Sequence, residues 1–212
     1  MAETFRSARL VYRAIEDNDE DIHFILSLIQ ESEGRIKNSK SLSTPANKKA
    51  AQQVTEKLGE SFLSVLICLP VSANNNKNEA ASQVLKPIGR IGLWPIEEKN
   101  RHHRNTNFGI HLLKEYQRKG YGSEAINWIL NWAFKMAGLH RVGLICYSYN
   151  LGARELYERL GFVFEGRLRE SVWYDGAWYD EVILGMLKSE WDTRENEKTG
   201  KVNGITNSMK NL

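Results

Sequence analysis

The chain has 212 residues, 42% of them apolar, enough to bury one sizeable core in a single domain. Its formal charge is only +3, with Lys and Arg spread along the sequence, so nucleic acid is not an expected partner. No apolar run is long enough to span a bilayer, Met1 to Phe5 begins no signal-peptide core, and Cys68 and Cys146 each lie inside an apolar run, as reduced buried thiols do. The expectation is a protein of the cytoplasm, the nucleus being the alternative, with no membrane partner.

In chain order, Leu10 to Ala14 alternates like a strand, and Ile22, Phe24, Ile25, Leu28 and Ile29 recur at helical spacing. Thr44-Pro45 reads as the cap and first-turn proline of a helix running to about Leu58, with Gly59 as its stop. Phe62 to Leu69 and Ile88 to Trp94 are apolar strands. Between them residues 72–86, with Asn74-Asn75-Asn76, are polar and low in complexity, and read as a mobile loop. An extended apolar segment, Phe108 to Leu113, leads into Gln117-Arg118-Lys119-Gly120-Tyr121-Gly122 and a helix over Ser123 to Ala137. After the apolar run Val142 to Tyr147, Asn150 caps a second helix that Gly161 ends in the left-handed conformation. Ala153, Leu156, Tyr157 and Leu160 fall on one face of it, which buries Tyr157 with its hydroxyl reaching inward. Glu165 to Trp173 and Trp178 to Leu187 form two further strands, joined at the hairpin signal Asp175-Gly176. Asp192 to Leu212 loses apolar periodicity and is expected to be disordered, which puts the domain at residues 8–191. The order implies an α/β (α+β) protein: a mixed sheet of six or seven strands with helices on both faces.

The segment Gln117 to Gly122 has the make-up of a phosphate cradle. Gly120 and Gly122 accept backbone angles closed to other residues and let a ligand approach the main chain. The N–H groups at the start of the next helix point at an anion, and Arg118 and Lys119 add positive charge. An ordinary glycine-containing turn is the alternative that this pattern alone leaves open. The loop lacks the G-x-G-x-x-G of a dinucleotide fold and the Gly-Lys-Ser/Thr of a P-loop.

Taken together, these segments resemble the GNAT superfamily of acetyl-coenzyme A dependent N-acetyltransferases. Gln117 to Gly122 is similar to its Q/R-x-x-G-x-G/A pyrophosphate loop, and Asn150 to Phe162 to its N-x-x-A/S-x-x-L-Y-E-x-x-G-F segment. The ending, Glu165-Gly166-Arg167-Leu168-Arg169-Glu170 followed by Asp175-Gly176 and Asp180, is similar to the RimJ/RimL branch. The resemblance implies a mostly antiparallel sheet whose fourth and fifth strands, here about 106–113 and 141–147, splay apart to admit the cofactor acetyl-CoA. Pantetheine would then bond to backbone near His111, Leu112 and Leu113, and the pyrophosphate would rest on Gln117, Arg118, Lys119, Gly120, Tyr121, Gly122 and Ser123. It also implies that Tyr157 protonates the coenzyme A sulfur, a task suited to a phenol that is still protonated at neutral pH. Asn150 caps its helix and is a candidate to hold pantetheine or a substrate amide as well.

His111 is the candidate general base, because imidazole titrates near neutrality, while strand alternation leaves open whether it faces the site. Glu31 and Glu33 are candidates to line an amine pocket. His102 and His103 fall in a polar segment, and no histidine spacing suggests a metal site. The expected partners are acetyl-CoA and a small-molecule amine such as a polyamine, an amino sugar or an amine-bearing toxin, acetylated by direct attack in a ternary complex. The alternatives are the α-amine of a protein N-terminus and an acyl-CoA binding module without turnover. The protein is expected as a monomer or a homodimer.

Overall fold

Apolar residues at period two along the strands, and at helical spacing between them, bury side chains on both faces of one sheet. A computed structural model describes residues 4–31, 34, 39–71, 84–198 and 200. In chain order the elements are β1 (Val11–Arg13), α1 (Asp19–Gln30), α2 (Lys48–Gly59), β2 (Leu63–Val71), β3 (Val84–Leu93), β4 (Asn105–Leu112), α3 (Tyr121–Asn131), β5 (Arg141–Tyr147), α4 (Leu151–Arg159), β6 (Val163–Tyr174), β7 (Ala177–Leu187) and α5 (Lys188–Lys198). The seven strands lie in the order β1-β2-β3-β4-β5-β7-β6. Neighbours are antiparallel except β4 and β5, which run parallel and pair only at Asn105 with Arg141, Thr106 with Val142 and Asn107 with Gly143. Beyond those three pairs the two strands part.

On one face Ile91, Leu93, Phe108, Val142, Leu144, Val182 and Leu184 pack against Ile126, Ile129 and Leu130 of α3 and Tyr157 of α4. On the other, Leu66 and Cys68 of β2 pack against Ile22, Ile25 and Leu28 of α1 and Ala51 of α2. Each such large side chain contributes about 1.5–3 kcal/mol by leaving water. Arg13 ties β1 to α1 through a two-pronged bond to the fully buried Asp21, at 2.7 and 2.6 Å. Burial opposes that carboxylate's charge, yet the Arg13 bond and the Glu16 N–H outweigh it and lower its pKa.

Local chemistry explains most element ends. Gly161 sits at φ 89°, the Gly161 N–H donates to Glu158 O and the Phe162 N–H to Tyr157 O, the paired bonds of a Schellman stop. Asp175 and Gly176, at φ 46° and 79°, form the two-residue turn between β6 and β7.

Three expectations are corrected. The helix opens at Asn47, whose side chain accepts from the Ala50 N–H at 3.0 Å, and not at Thr44-Pro45; Gly59 is its last residue, at ordinary helical angles. Strand β3 begins at Val84, so the polar segment expected to reach 86 ends earlier; residues 72–83 lie outside the described residues. Finally, α5 carries ordered chain through Lys198, where disorder was expected from Asp192. Apolar periodicity missed it because α5 docks through a few scattered residues and not through an apolar stripe. Trp191 is buried against Phe134, and Arg194 Nη2 donates to Arg159 O at 3.0 Å while its side chain lies over Gly161. Residues 201–212 lie outside the described residues.

Candidate active site

A cleft of about 520 Å³ opens where β4 and β5 part, between the loop before α3 and the start of α4. Of the residues expected to hold a cofactor, Leu112, Gln117, Arg118, Gly120, Gly122, Ser123, Asn150 and Tyr157 line it. Leu113, Lys119, Tyr121 and His111 do not.

At one end the cradle is set by backbone. Arg118 and Gly120 take φ 58° and 83°, and Gly120 caps α3. These two turns leave the N–H groups of Arg118, Lys119 and Gly120, and those of the first helical residues, without main-chain partners among the described residues. A side chain at Gly122 would touch Leu112 and Leu156 at ordinary distance, whereas one at Gly120 would meet Arg9 at 3.1 Å in a strained conformation. Arg9 itself braces the loop. Its Nη1 donates to Lys119 O at 3.1 Å, its Nε pairs with Glu124 at 2.7 Å, and its guanidinium lies over the Tyr121 ring. Lys119 and Tyr121 thus support the loop from outside the cleft.

Along the wall, ladder alternation decides which groups of β4 are free. The Leu113 N–H donates to Ile88 O and the Trp94 N–H to Asn107 O, so odd-numbered residues of β4 spend their backbone groups on β3. Ile110 and Leu112 therefore present theirs to the open edge, and Leu112 O already accepts from Gln117 Nε2 at 2.8 Å. This corrects the expectation for Leu113, whose carbonyl is also taken, by the Tyr116 N–H. Ile110, which the sequence reading did not name, lines the cleft at the same open edge, and period-two counting from Leu112 reaches it.

Tyr157 is 8% exposed and sits edge-on to Phe108 and Phe162. Its hydroxyl makes no hydrogen bond among the described residues and is not sealed from solvent, so it opens onto the cleft. Burial, and then the neighbouring Cys146 thiol, push the phenol well above its ordinary pKa. The Cys146 thiol is itself pushed up to about 11, which keeps it unreactive. Asn150 accepts from the Ala153 N–H at 3.4 Å, a long cap bond.

His111 faces the opposite side of the sheet. It is buried at 5% exposure, its Nε2 lies 3.3 Å from Glu31 Oε2, and Glu31 Oε1 accepts the Lys114 N–H at 2.7 Å. Gly34, which lines the cleft, packs so close that a Cβ there would reach His111 Nε2 at 2.3 Å. Burial, then Arg90 beside it, lower the His111 pKa against the pull of Glu31. Glu33 lies outside the described residues, and His102 and His103 are exposed in a 3-10 turn.

Residues 9–163 match the family model described as Acetyltransferase (GNAT) domain. The chain belongs to the GNAT acetyltransferase family. It is 31% identical over 135 residues to the uncharacterized N-acetyltransferase YokL of Bacillus subtilis, covering 58% of this chain and 75% of that protein. With the spermidine N(1)-acetyltransferase of Vibrio cholerae it shares 36% identity over 104 residues, 49% of this chain and 60% of that enzyme. The crystal structure of a Vibrio cholerae spermidine N-acetyltransferase with CoA and spermine superimposes with a TM-score of 0.68 at 26% identity, covering 87% of this chain and 99% of that one.

The mixed seven-stranded sheet is that of a GNAT acyltransferase, and acetyl-CoA is the cofactor of the family. The residues present fit it: a turn at Gly120 that needs positive φ and leaves N–H groups without main-chain partners among the described residues, a strand edge that pairs with β5 at only three positions, and a cleft between them. No helix among the described residues is long and apolar enough to cross a membrane.

Proposed function

We propose that this GNAT protein acetylates a primary amine of a small polycationic molecule, a polyamine being the favoured class. The observation that carries the transfer chemistry is the Tyr157 hydroxyl, without a hydrogen-bond partner among the described residues and open to a cleft that ends in the glycine turn before α3. The acceptor class rests on likeness to the Vibrio cholerae spermidine enzyme.

Acetyl-CoA supplies an activated acyl group. The chain must position it, take a proton from the attacking amine and give one to the departing sulfur. Backbone N–H groups of residues 118–123 would bind the pyrophosphate, and Ile110 and Leu112 the pantetheine arm. Tyr157 holds the proton for the sulfur, because burial keeps its phenol neutral throughout the physiological range. Asn150 fixes the start of α4, and through it the position of Tyr157. His111 is the proposed base. Its lowered pKa leaves a neutral imidazole at pH 7, and Glu31 orients the ring.

A panel of spermidine, spermine, glucosamine and a short peptide with a free N-terminus, read by thiol release, tests this. Turnover confined to the peptide would support the RimJ/RimL reading instead, which likeness to the putative ribosomal N-acetyltransferase YdaF of Bacillus subtilis, 31% over 104 residues, keeps in view. Coenzyme A binding without thiol release from any amine would support a binding module.

A further inference from the structure

Counting on from the paired positions Asn105 and Arg141 brings His111 and Tyr147 level across the gap, on the face away from Tyr157. Tyr147 pairs with Glu181 in the β5–β7 ladder, so Glu181 stands on the far wall of the gap from His111. Its side chain is only 4% exposed. The irregular register between Leu168 and Val172 brings Ser171 onto it, Oγ donating to Glu181 Oε1 at 2.9 Å. The cation it holds is Lys40, from the irregular segment before α2, whose side chain is 51% exposed. Tyr147 stacks on Tyr149 at 5.4 Å, and Tyr149 meets Tyr174 and Tyr179 at 4.9 and 5.1 Å. Tyr149 also lines the cofactor cleft.

We infer that Glu181 recognises a charged nitrogen of the acceptor, the one that is not acetylated, and that Lys40 is an internal stand-in which the acceptor displaces. The inference rests on the reading of the protein as an amine acetyltransferase. A carboxylate so deeply buried is costly to leave bare, so a cation must stay on it. Lys40 meets that need with a primary ammonium on a flexible methylene stem, the same head that a polyamine carries. Exchange of one ammonium for the other keeps Glu181 compensated. The tyrosine faces beside it favour a cation over a neutral group. The Lys40 stem is half in water and makes no second ion pair among the described residues, so little else holds it.

Steady-state kinetics and thermal melting with spermidine, on wild type, Glu181→Gln, Lys40→Ala and the double variant, test the inference. Losing a charged hydrogen bond should raise the spermidine KM of Glu181→Gln about tenfold to hundredfold, with the KM for acetyl-CoA moving less than about twofold. Lys40→Ala should melt lower, because Glu181 is bared, and spermidine should raise its Tm more than it raises that of wild type. Its spermidine KM should fall. The double variant should recover the Tm and keep the high KM. A spermidine KM in Glu181→Gln within about threefold of wild type would overturn the inference, as would an equal spermidine-induced Tm shift in wild type and Lys40→Ala. If wild type turns over no amine, the functional reading fails by itself, and the Tm shift in Lys40→Ala against the double variant still decides whether Glu181 binds an ammonium.

Discussion

On one side of the sheet, the cleft proposed for the cofactor is made of backbone: two left-handed residues in the loop before α3, the N–H groups of that helix without main-chain partners among the described residues, and the edge of β4 beyond its three pairs with β5. On the other side, the face proposed for the acceptor is made of side chains from distant parts of the chain. Glu31 reaches His111 from 80 residues away, and Lys40 reaches Glu181. Backbone recognition suits a ligand shared across a family, since most side chains can change without altering it. Side-chain recognition lets the acceptor differ from one relative to the next. Tyr157 belongs to the first side by position, and its proposed proton transfer would serve both.

The comparison breaks most visibly at Tyr157. Phenylalanine keeps the ring against Phe108 and Phe162 and removes the proton, so kcat should fall about a hundred- to ten-thousand-fold with the fold intact. Retention of kcat within about threefold, with acetyl transfer rate-limiting, would move the role to water or another group.

Gly120→Glu attacks the cleft through its backbone. It forces a side chain at φ 83° against Arg9 and places a carboxylate in an anion cradle, so calorimetry should show acetyl-CoA binding weakened about a hundredfold or more while circular dichroism is unchanged. Wild-type affinity would show that the phosphates bind elsewhere.

His111→Gln tests the acceptor face. We expect kcat/KM to drop at least about tenfold, and the acid limb of the wild-type pH profile to lie below the ordinary histidine pKa of about 6.5. The same shift carries a stability sign. Since the folded pKa is lowered, the unfolded chain binds the proton more readily, and stability present at neutral pH is lost as pH falls from about 6.5 toward the folded value. Melting curves from pH 7.5 to 5 should slope less in His111→Gln. An unchanged slope and profile would leave His111 a structural residue.

The smallest effect belongs to α5. A chain ending at Trp191 keeps every strand but loses the Arg194 bond to Arg159 O, which should cost about 1 kcal/mol in denaturant unfolding. Arg194→Ala should reproduce most of it, and no loss in either would show that α5 is not a clamp on the end of α4.

How much could be read in advance follows the same division. The glycine turn at Gly120, the cap at Asn150, the stop at Gly161 and the turn at Asp175-Gly176 were legible because backbone angles there depend on residues within a few positions. Thr44 misled because Asn47, three residues later, offers an equally good cap, and proximity to the helix that packs decided between them. Leu113 misled because a one-residue difference in a ladder exchanges free backbone groups for paired ones.

By itself the sequence determined the alternation of strands and helices, the glycine turn before α3 and the place of Tyr157 in its motif, since each is written in a short run of residues. Only the tertiary structure decided which backbone edge faces the gap, that His111 lies on the sheet face opposite Tyr157 beside Glu31, and that Lys40 closes on Glu181. Those contacts join residues far apart in the chain, and nothing local to either partner favours the meeting until the sheet has formed.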